Sequence, residues 1–392
     1  MIHAVHPRRP TASAAPAAAT ASPARANEAT LALGLVSGLL GLGLTACGGG
    51  AVGPASTGAP STAPVVVAGD GVLCDLATRI AGPDLQVRCL LAAGDDPHQF
   101  RLTPAQKRDL GAASLVLING YGLTPALAQL PGAVPVAELA VPDSPLLVGG
   151  TPGQADAAQH GGPEERHDPH HDEAHADGDD HDHGAGDRDP HVWHDPRQAS
   201  AMAQLVGERL AQRRPAAAPA IRERSAALIA LLGELDQWNG RQLASIPRGP
   251  GSTAPPLATG HRAFTSLARR YGLRELPVVD GGSSSSSLRP QAFEGVVRQL
   301  QRERVPRLFA EQLPPPRNLE RISQLSGVPI ASQALVADGL ARSATGGDDT
   351  SEGSGNLMAT LTANTCAISE GLGGRCDRAG ERELVNRWRA IR

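Results

Sequence analysis

The chain predicts an α/β fold of two lobes, each a parallel sheet flanked by helices, joined by one long connecting helix. Three observations carry that expectation. Short apolar and β-branched runs alternate with helical patterns from Val65 to Leu139. Beyond Pro196 the pattern turns helical for roughly fifty residues. At Pro256 the strand–helix alternation begins again.

Val65 to Ala68 is a strand, Gly71 to Ile80 has helical periodicity, and Leu85 to Leu91 is a second strand broken by Gly94-Asp95-Asp96-Pro97-His98. Pro104 opens a helix, Ser114 to Ile118 reads as a buried strand, and Val134 to Leu139 as the last strand of this half. Ala199 to Arg213 is a helix. Pro215 then suits the first turn of a helix of about thirty residues, which would span about 45 Å and connect two lobes.

In the second half, strands are expected at Pro256–Thr259, Leu276–Val279, Arg307–Ala310 and Pro329–Ala331. Helices are expected at Arg262–Tyr271, Pro290–Arg304 and Leu319–Ser326, with a final one at about Leu357–Leu372. The domain reading is a leader at 1–46, a tether at 47–64, and an N-terminal lobe at 65–214 with a His-rich loop at about 141–189. A connecting helix at 215–246 and a C-terminal lobe at 247–392 complete it.

Composition narrows the class. Aromatic residues make up 2% of the 392, so the cores must be aliphatic. The formal net charge of -4, without an arginine stripe, argues against a nucleic-acid partner. The apolar run Leu31–Leu44 is too short to span a bilayer and fits a signal-peptide core. It ends in Leu44-Thr45-Ala46-Cys47, which resembles a bacterial lipoprotein cleavage box with Cys47 as the lipidated residue. The Gly/Ser/Pro/Ala stretch to Pro64 then acts as a tether.

Four cysteines follow: Cys74, Cys89, Cys366 and Cys376. An even number in an exported chain suggests disulfides. Short separations favour Cys74–Cys89 and Cys366–Cys376 among three connectivities, and no C-x-x-C spacing supports a zinc ribbon.

Nine of the thirteen histidines lie between His160 and Asp195, interleaved with carboxylates. Such a tract cannot bury enough surface to offset its ordering entropy, so a mobile loop with affinity for zinc is expected. It gathers metal without fixing its geometry, which implies an ordered site elsewhere. His98, His261 and His191 supply one, each near a strand end or a turn pinned by proline. Ligands in open α/β sheets gather at strand carboxyl ends, and three imidazoles make most of a tetrahedral zinc shell.

Three motifs carry a resemblance. Asp95-Asp96-Pro97-His98, the run Asp189-Pro190-His191-Val192-Trp193-His194-Asp195-Pro196, and Gly260-His261-Arg262-Ala263-Phe264 with Tyr271-Gly272-Leu273 resemble the metal-binding lipoproteins of zinc and manganese ABC importers. Ile118 to Leu123, Leu308 to Glu311 and Met358 to Leu372 support it, so the likeness spans Val65 to about Leu372.

The resemblance implies a receptor that breaks no bond, with the metal in the cleft between lobes. The metal ligands it implies are His98, His191, His261 and, within Ala337-Asp338-Gly339-Leu340, Asp338. Asp348, Asp349 and water compete for the fourth place. Glu311 is an expected acceptor for an imidazole N–H. Manganese-binding relatives typically carry glutamate at the position of His261, so Zn²⁺ is the expected cargo, with Mn²⁺ the alternative. Affinity should fall as pH drops through the imidazole range, from about 7.5 to about 5.5.

The implied partners are an ABC permease and its ATPase. The implied state is a monomer, anchored outside the cytoplasmic membrane by lipid. Three positions depart from the family: His194 stands where an apolar residue is usual, Thr124 replaces a glutamate, and Ser283–Ser287 replace a Glu-Pro-Ser-Pro segment.

Two other classes compete. A secreted zinc hydrolase would use His171-Asp172-Glu173-Ala174-His175, but Asp172 holds the place of the metalloprotease glutamate and the segment lacks helix-forming flanks. An adhesin or periplasmic zinc buffer would use the same fold and ligands.

Overall fold

A computed structural model of the chain describes residues 65–147, 187–249, 253–279, 290–341 and 355–392. The leader, Cys47, the tether, the His-rich tract up to residue 186, Ser283–Ser287, Asp348 and Asp349 lie outside the described residues.

The first half contains β1 (Val65–Ala68), α1 (Gly71–Ala81), β2 (Gln86–Cys89), α2 (Pro104–Ala112), β3 (Leu115–Ile118), β4 (Val134–Pro135) and α3 (Val136–Ala140). The strands are parallel in the order β2-β1-β3-β4. β1 and β3 are central and largely buried, which is why they read as uninterrupted apolar runs rather than alternating ones. The carboxylate of Asp70 accepts the Leu73 N–H at 2.9 Å and starts α1. Pro104 and a Thr103/Gln106 capping box start α2.

The strand expected at Val134–Leu139 is corrected: only Val134 and Pro135 pair, with Leu117 and Ile118. Ala137 donates to Asn119 O at 2.8 Å, and Ala-Glu-Leu-Ala, all good helix formers, coil into α3.

α4 (Pro196–Arg213) begins at Asp195, whose side chain accepts the Arg197 N–H, with Pro196 at its first position. α5 (Ala218–Ala244) follows a 3-10 turn at Pro215–Ala217 and, at 27 residues, is about 40 Å long. Its Ile221, Leu228, Leu232 and Leu235 join the core of the first sheet, whereas Leu243 joins that of the second. One rigid element is therefore built into both cores.

The second half contains β5 (Pro256–Thr259), α6 (Thr265–Tyr271), β6 (Arg274–Pro277), α7 (Pro290–Arg302), β7 (Leu308–Phe309) and α8 (Arg317–Ser326). Its sheet is parallel in the order β6-β5-β7. β6 starts two residues before the expected strand, with Arg274 paired to Pro256. The strand expected at Pro329–Ala331 reduces to one parallel bridge, Ile330 to Leu308.

α9 (Leu357–Gly371) is not the final helix, because α10 (Arg378–Ala390) follows. Leu384, Val385 and Trp388 fix α10 in the first core, and Trp388 Nε1 donates to Asp75 at 2.8 Å. Among the described residues no helix is long and apolar enough to cross a membrane.

Disulfide bonds join Cys74 to Cys89 and Cys366 to Cys376. Cys89 is exposed and Cys74 half-buried, so replacing both by serine opens no core cavity. At a sequence separation of 15, chain-entropy arguments put the cross-link at about 3 kcal/mol. The Cys74→Ser/Cys89→Ser variant should lose about that much stability, read from its urea midpoint against the parent. An unchanged midpoint would show that the bond is not formed in the protein as isolated.

Candidate metal centre

Two Asp-Pro-His turns set up two of the histidines in the same way. Asp96 accepts the His98 N–H at 2.8 Å, and Asp189 accepts the His191 N–H at 2.9 Å. Each is an Asx turn, with proline holding the intervening residue. His98 lies beyond the end of β2, and His191 directly before a 3-10 turn at Val192–His194. His261 follows Gly260 at the end of β5. Glu311, just past β7, takes both its backbone N–H, at 2.9 Å, and its Nδ1, at 2.7 Å. A Cβ at Gly260 would stand 2.8 Å from Glu311 Oε1, so a side chain there would push Glu311 away from His261.

Asp338 closes the group. Its Oδ1 lies 2.9 Å from His191 Nε2 and 3.1 Å from His98 Nε2, and its Oδ2 lies 3.5 Å from His261 Nε2. One ligand atom from each of His98, His191, His261 and Asp338 lies within 4.8 Å of all the others. An ideal tetrahedron with bonds of about 2.0 Å places its ligands about 3.3 Å apart, so these side chains need only small movements to hold an ion. His98, His261 and Asp338 line a cavity of about 550 Å³, while His191 is wholly covered. An ion would therefore enter from the side of His98 and His261.

Electrostatics prepare the site for a cation. Burial alone would push His191 down, but hydrogen bonds to Asp189 and Asp338 raise it to about 9. His261 behaves alike: burial is outweighed by the Glu311 and Asp338 charges, and it sits well above its ordinary value. Burial would raise Asp338, yet the charge of His261 and the imidazole hydrogen bonds hold it well below the usual carboxylate range.

Each of these two imidazoles is thus gripped between carboxylates. The Nδ1–H bond to Asp189 or Glu311 turns Nε2 toward Asp338, the orientation a metal ligand needs. Burial pushes His194 down to about 4, so it is neutral. It is not one of the four grouped side chains.

Sequence reasoning left Asp189 without a role of its own. This fully buried carboxylate also accepts from Ser266 N at 3.0 Å and Ser266 Oγ at 2.6 Å, tying the His191 turn to α6. The signal was available: an aspartate two residues before histidine, in a turn used twice. Asp189→Asn turns one acceptor oxygen into a donor facing donors. Metal affinity should fall 10- to 100-fold, by chelator competition, and stability by about 3 kcal/mol, by urea unfolding. Affinity within twofold of the parent would remove Asp189 from the site.

The family model described as zinc-uptake complex component A, periplasmic (ZnuA), matches residues 66–371. The chain belongs to this family. It is accordingly a metal-binding receptor of the kind that serves ABC transporters, with two α/β lobes. The zinc-binding protein TroA of Treponema pallidum is 25% identical over 259 residues, covering 66% of this chain and 73% of TroA. The manganese ABC transporter substrate-binding lipoprotein PsaA of Streptococcus pneumoniae is 22% identical, covering 84% of this chain and 94% of PsaA.

Among solved structures, TroA superimposes with a TM-score of 0.61 at 24% identity, over 79% of this chain and 99% of that one. Fe(III)-bound YtgA of Chlamydia trachomatis gives 0.61 at 22%, over 80% and 100%. At that identity the structural likenesses speak for the fold. The ions named for these relatives are zinc, manganese and Fe(III), so the comparisons support a metal ion and do not decide the element.

Proposed function

We propose that this ZnuA-family protein captures Zn²⁺ outside the cytoplasmic membrane, anchored there through Cys47, and delivers it to an ABC permease driven by an ATPase. The ligands are His98, His191, His261 and Asp338. The observation that carries this reading is the donor set: three imidazole nitrogens and one carboxylate within 4.8 Å. Nitrogen-rich, four-coordinate sites suit zinc, and oxygen-rich, six-coordinate ones suit manganese. The divalent affinity order also places zinc above manganese at nitrogen donors. The reaction is capture and release, and no bond of a substrate is broken.

The experiment is competition between Zn²⁺ and Mn²⁺ for the purified protein, read by metal content and repeated with His261→Glu. Zinc should displace manganese from the native protein, and the glutamate variant should narrow the gap by weakening zinc more. Equal affinities in the native protein would sink the zinc assignment and favour manganese, the ion named for PsaA.

A further inference from the structure

The segment that carries Asp338 belongs to no helix or strand, so its shape depends on what holds its backbone. Leu335 N donates to Ala310 O at 2.8 Å, beside β7. Asn364, on α9, takes both groups of Val336, accepting its N–H at 2.9 Å and donating to its carbonyl at 2.8 Å. Thr360, also on α9, accepts the Ala341 N–H at 3.1 Å. A further tie comes from elsewhere. His194 Nε2 lies 2.9 Å from the carbonyl oxygen of Ala337.

That carbonyl belongs to the peptide unit joining Ala337 to Asp338, so whatever fixes it fixes the plane from which the Asp338 side chain departs. A carbonyl only accepts, so His194 Nε2 carries the proton and the imidazole is the donor. The ring has little room to turn. His194 is fully buried, its centroid 4.6 Å from that of Phe264 and 5.4 Å from that of Trp193. The His194 backbone N–H donates to His191 O at 3.2 Å, within the turn that presents His191. The α9 ties come from a helix that bears no ligand, whereas the His194 tie starts three residues from one.

We propose that His194 is a positioning residue that couples two ligands, holding the Asp338 backbone in register with the His191 turn. It acts through Ala337 O and does not touch the ion. The proposal rests on the metal-centre reading above. It gives a use to a polar side chain at a position where the family resemblance leads one to expect an apolar residue. Leucine there would fill much of the space but leave the Ala337 carbonyl buried without a donor, and Asp338 free to drift from His191. Carboxylate drift should lower affinity chiefly through faster metal release, since the imidazoles still receive the ion.

The test is a double-mutant cycle on the full chain, with zinc as the probe and affinity and release rate read by chelator competition. His194→Leu should weaken zinc by about tenfold, the lower end for partners that orient a ligand. His194→Gln, which keeps an N–H donor, should recover most of that loss. Combined with Asp338→Ala, His194→Leu should cost nothing further, because the carboxylate it positions is gone.

A merely structural role would give the same loss in both backgrounds, and that result would overturn the proposal. So would wild-type affinity in His194→Leu. Should the leucine variant not fold, His194→Met, unbranched and without a donor, takes its place in the cycle. If Asp338→Ala alone leaves zinc affinity unchanged, the assignment of Asp338 as ligand fails first and this coupling fails with it. If Asp338→Ala weakens zinc while His194→Leu does not, only the coupling fails.

Discussion

Replacing His191 by alanine should cost this protein more than any other single change at the metal centre, in affinity and in stability together. The imidazole is fully buried and touches two carboxylates, Asp189 through Nδ1 at 3.2 Å and Asp338 through Nε2 at 2.9 Å. With the proposed ligands, its removal takes one donor of four. The loss in zinc affinity should exceed the 10- to 100-fold typical of changes one shell further out, so a fall of about 100-fold or more is expected. It also takes the cationic partner from Asp189, a carboxylate with no exposure to water that keeps only the neutral donors of Ser266 and the backbone. Breaking a buried pair in this way costs about 3–5 kcal/mol.

His261→Ala makes the informative contrast. It should match the affinity loss while disturbing stability less, because its partners Glu311 and Asp338 retain about a fifth of their side-chain exposure and can be hydrated. The checks are zinc affinity by chelator competition and the urea midpoint of the metal-free protein. Equal stability losses in the two variants would contradict the burial argument. An unchanged affinity in either would contradict the ligand set.

Much of this site was legible in the sequence, for physical reasons that differ from residue to residue. His261 follows β5, an easily read run that ends at Thr259, so its placement came with the strand. His98, by contrast, lies nine residues beyond β2 and was marked by the Gly94-Asp95-Asp96-Pro97 break before it. His191 was found through two prolines and a tryptophan, and Trp193 is indeed fully buried beside it. Asp338 was different. Its segment has no periodicity, since separate side chains hold it rather than a repeating hydrogen-bond ladder, and only the family resemblance pointed there.

The misread elements have equally local causes. Val134-Pro135-Val136 looks like a strand, but proline has no N–H with which to extend the ladder, and the residues after it prefer to coil. α10 escaped notice because its apolar residues Leu384, Val385 and Trp388 are few among charged neighbours. They suffice because the helix lies on a core that long-range packing has already built.

The pH dependence of metal binding should be steep and should sit higher than an unperturbed imidazole would place it. In the metal-free protein His191 holds its proton up to about 9, and His261 is raised well above its ordinary value. Asp338 stays ionised throughout the neutral range, because it is held well below the usual carboxylate range. A divalent ion entering at neutral pH therefore displaces two protons, one from each imidazole, and leaves the net charge of the site unchanged.

Two protons released per ion make the affinity rise about 100-fold per pH unit while both imidazoles hold their protons, and the His191 share of that rise continues to about pH 9. The expected direction is weaker binding as pH falls, and the expected window extends above the 5.5–7.5 range that reference values suggest. Stability of the metal-free protein should run the opposite way. A histidine whose folded value is raised contributes stability that is fully present below its unfolded value of about 6.5, and loses it as pH climbs through the folded value. The metal-free protein should thus become easier to unfold between pH 6.5 and pH 9, while its affinity for zinc increases. Calorimetric titration at pH 7 in buffers of differing ionisation enthalpy counts the protons directly. About two per zinc is the expected result, and none released would show that the carboxylate-gripped imidazoles are already neutral, or that the ion binds elsewhere.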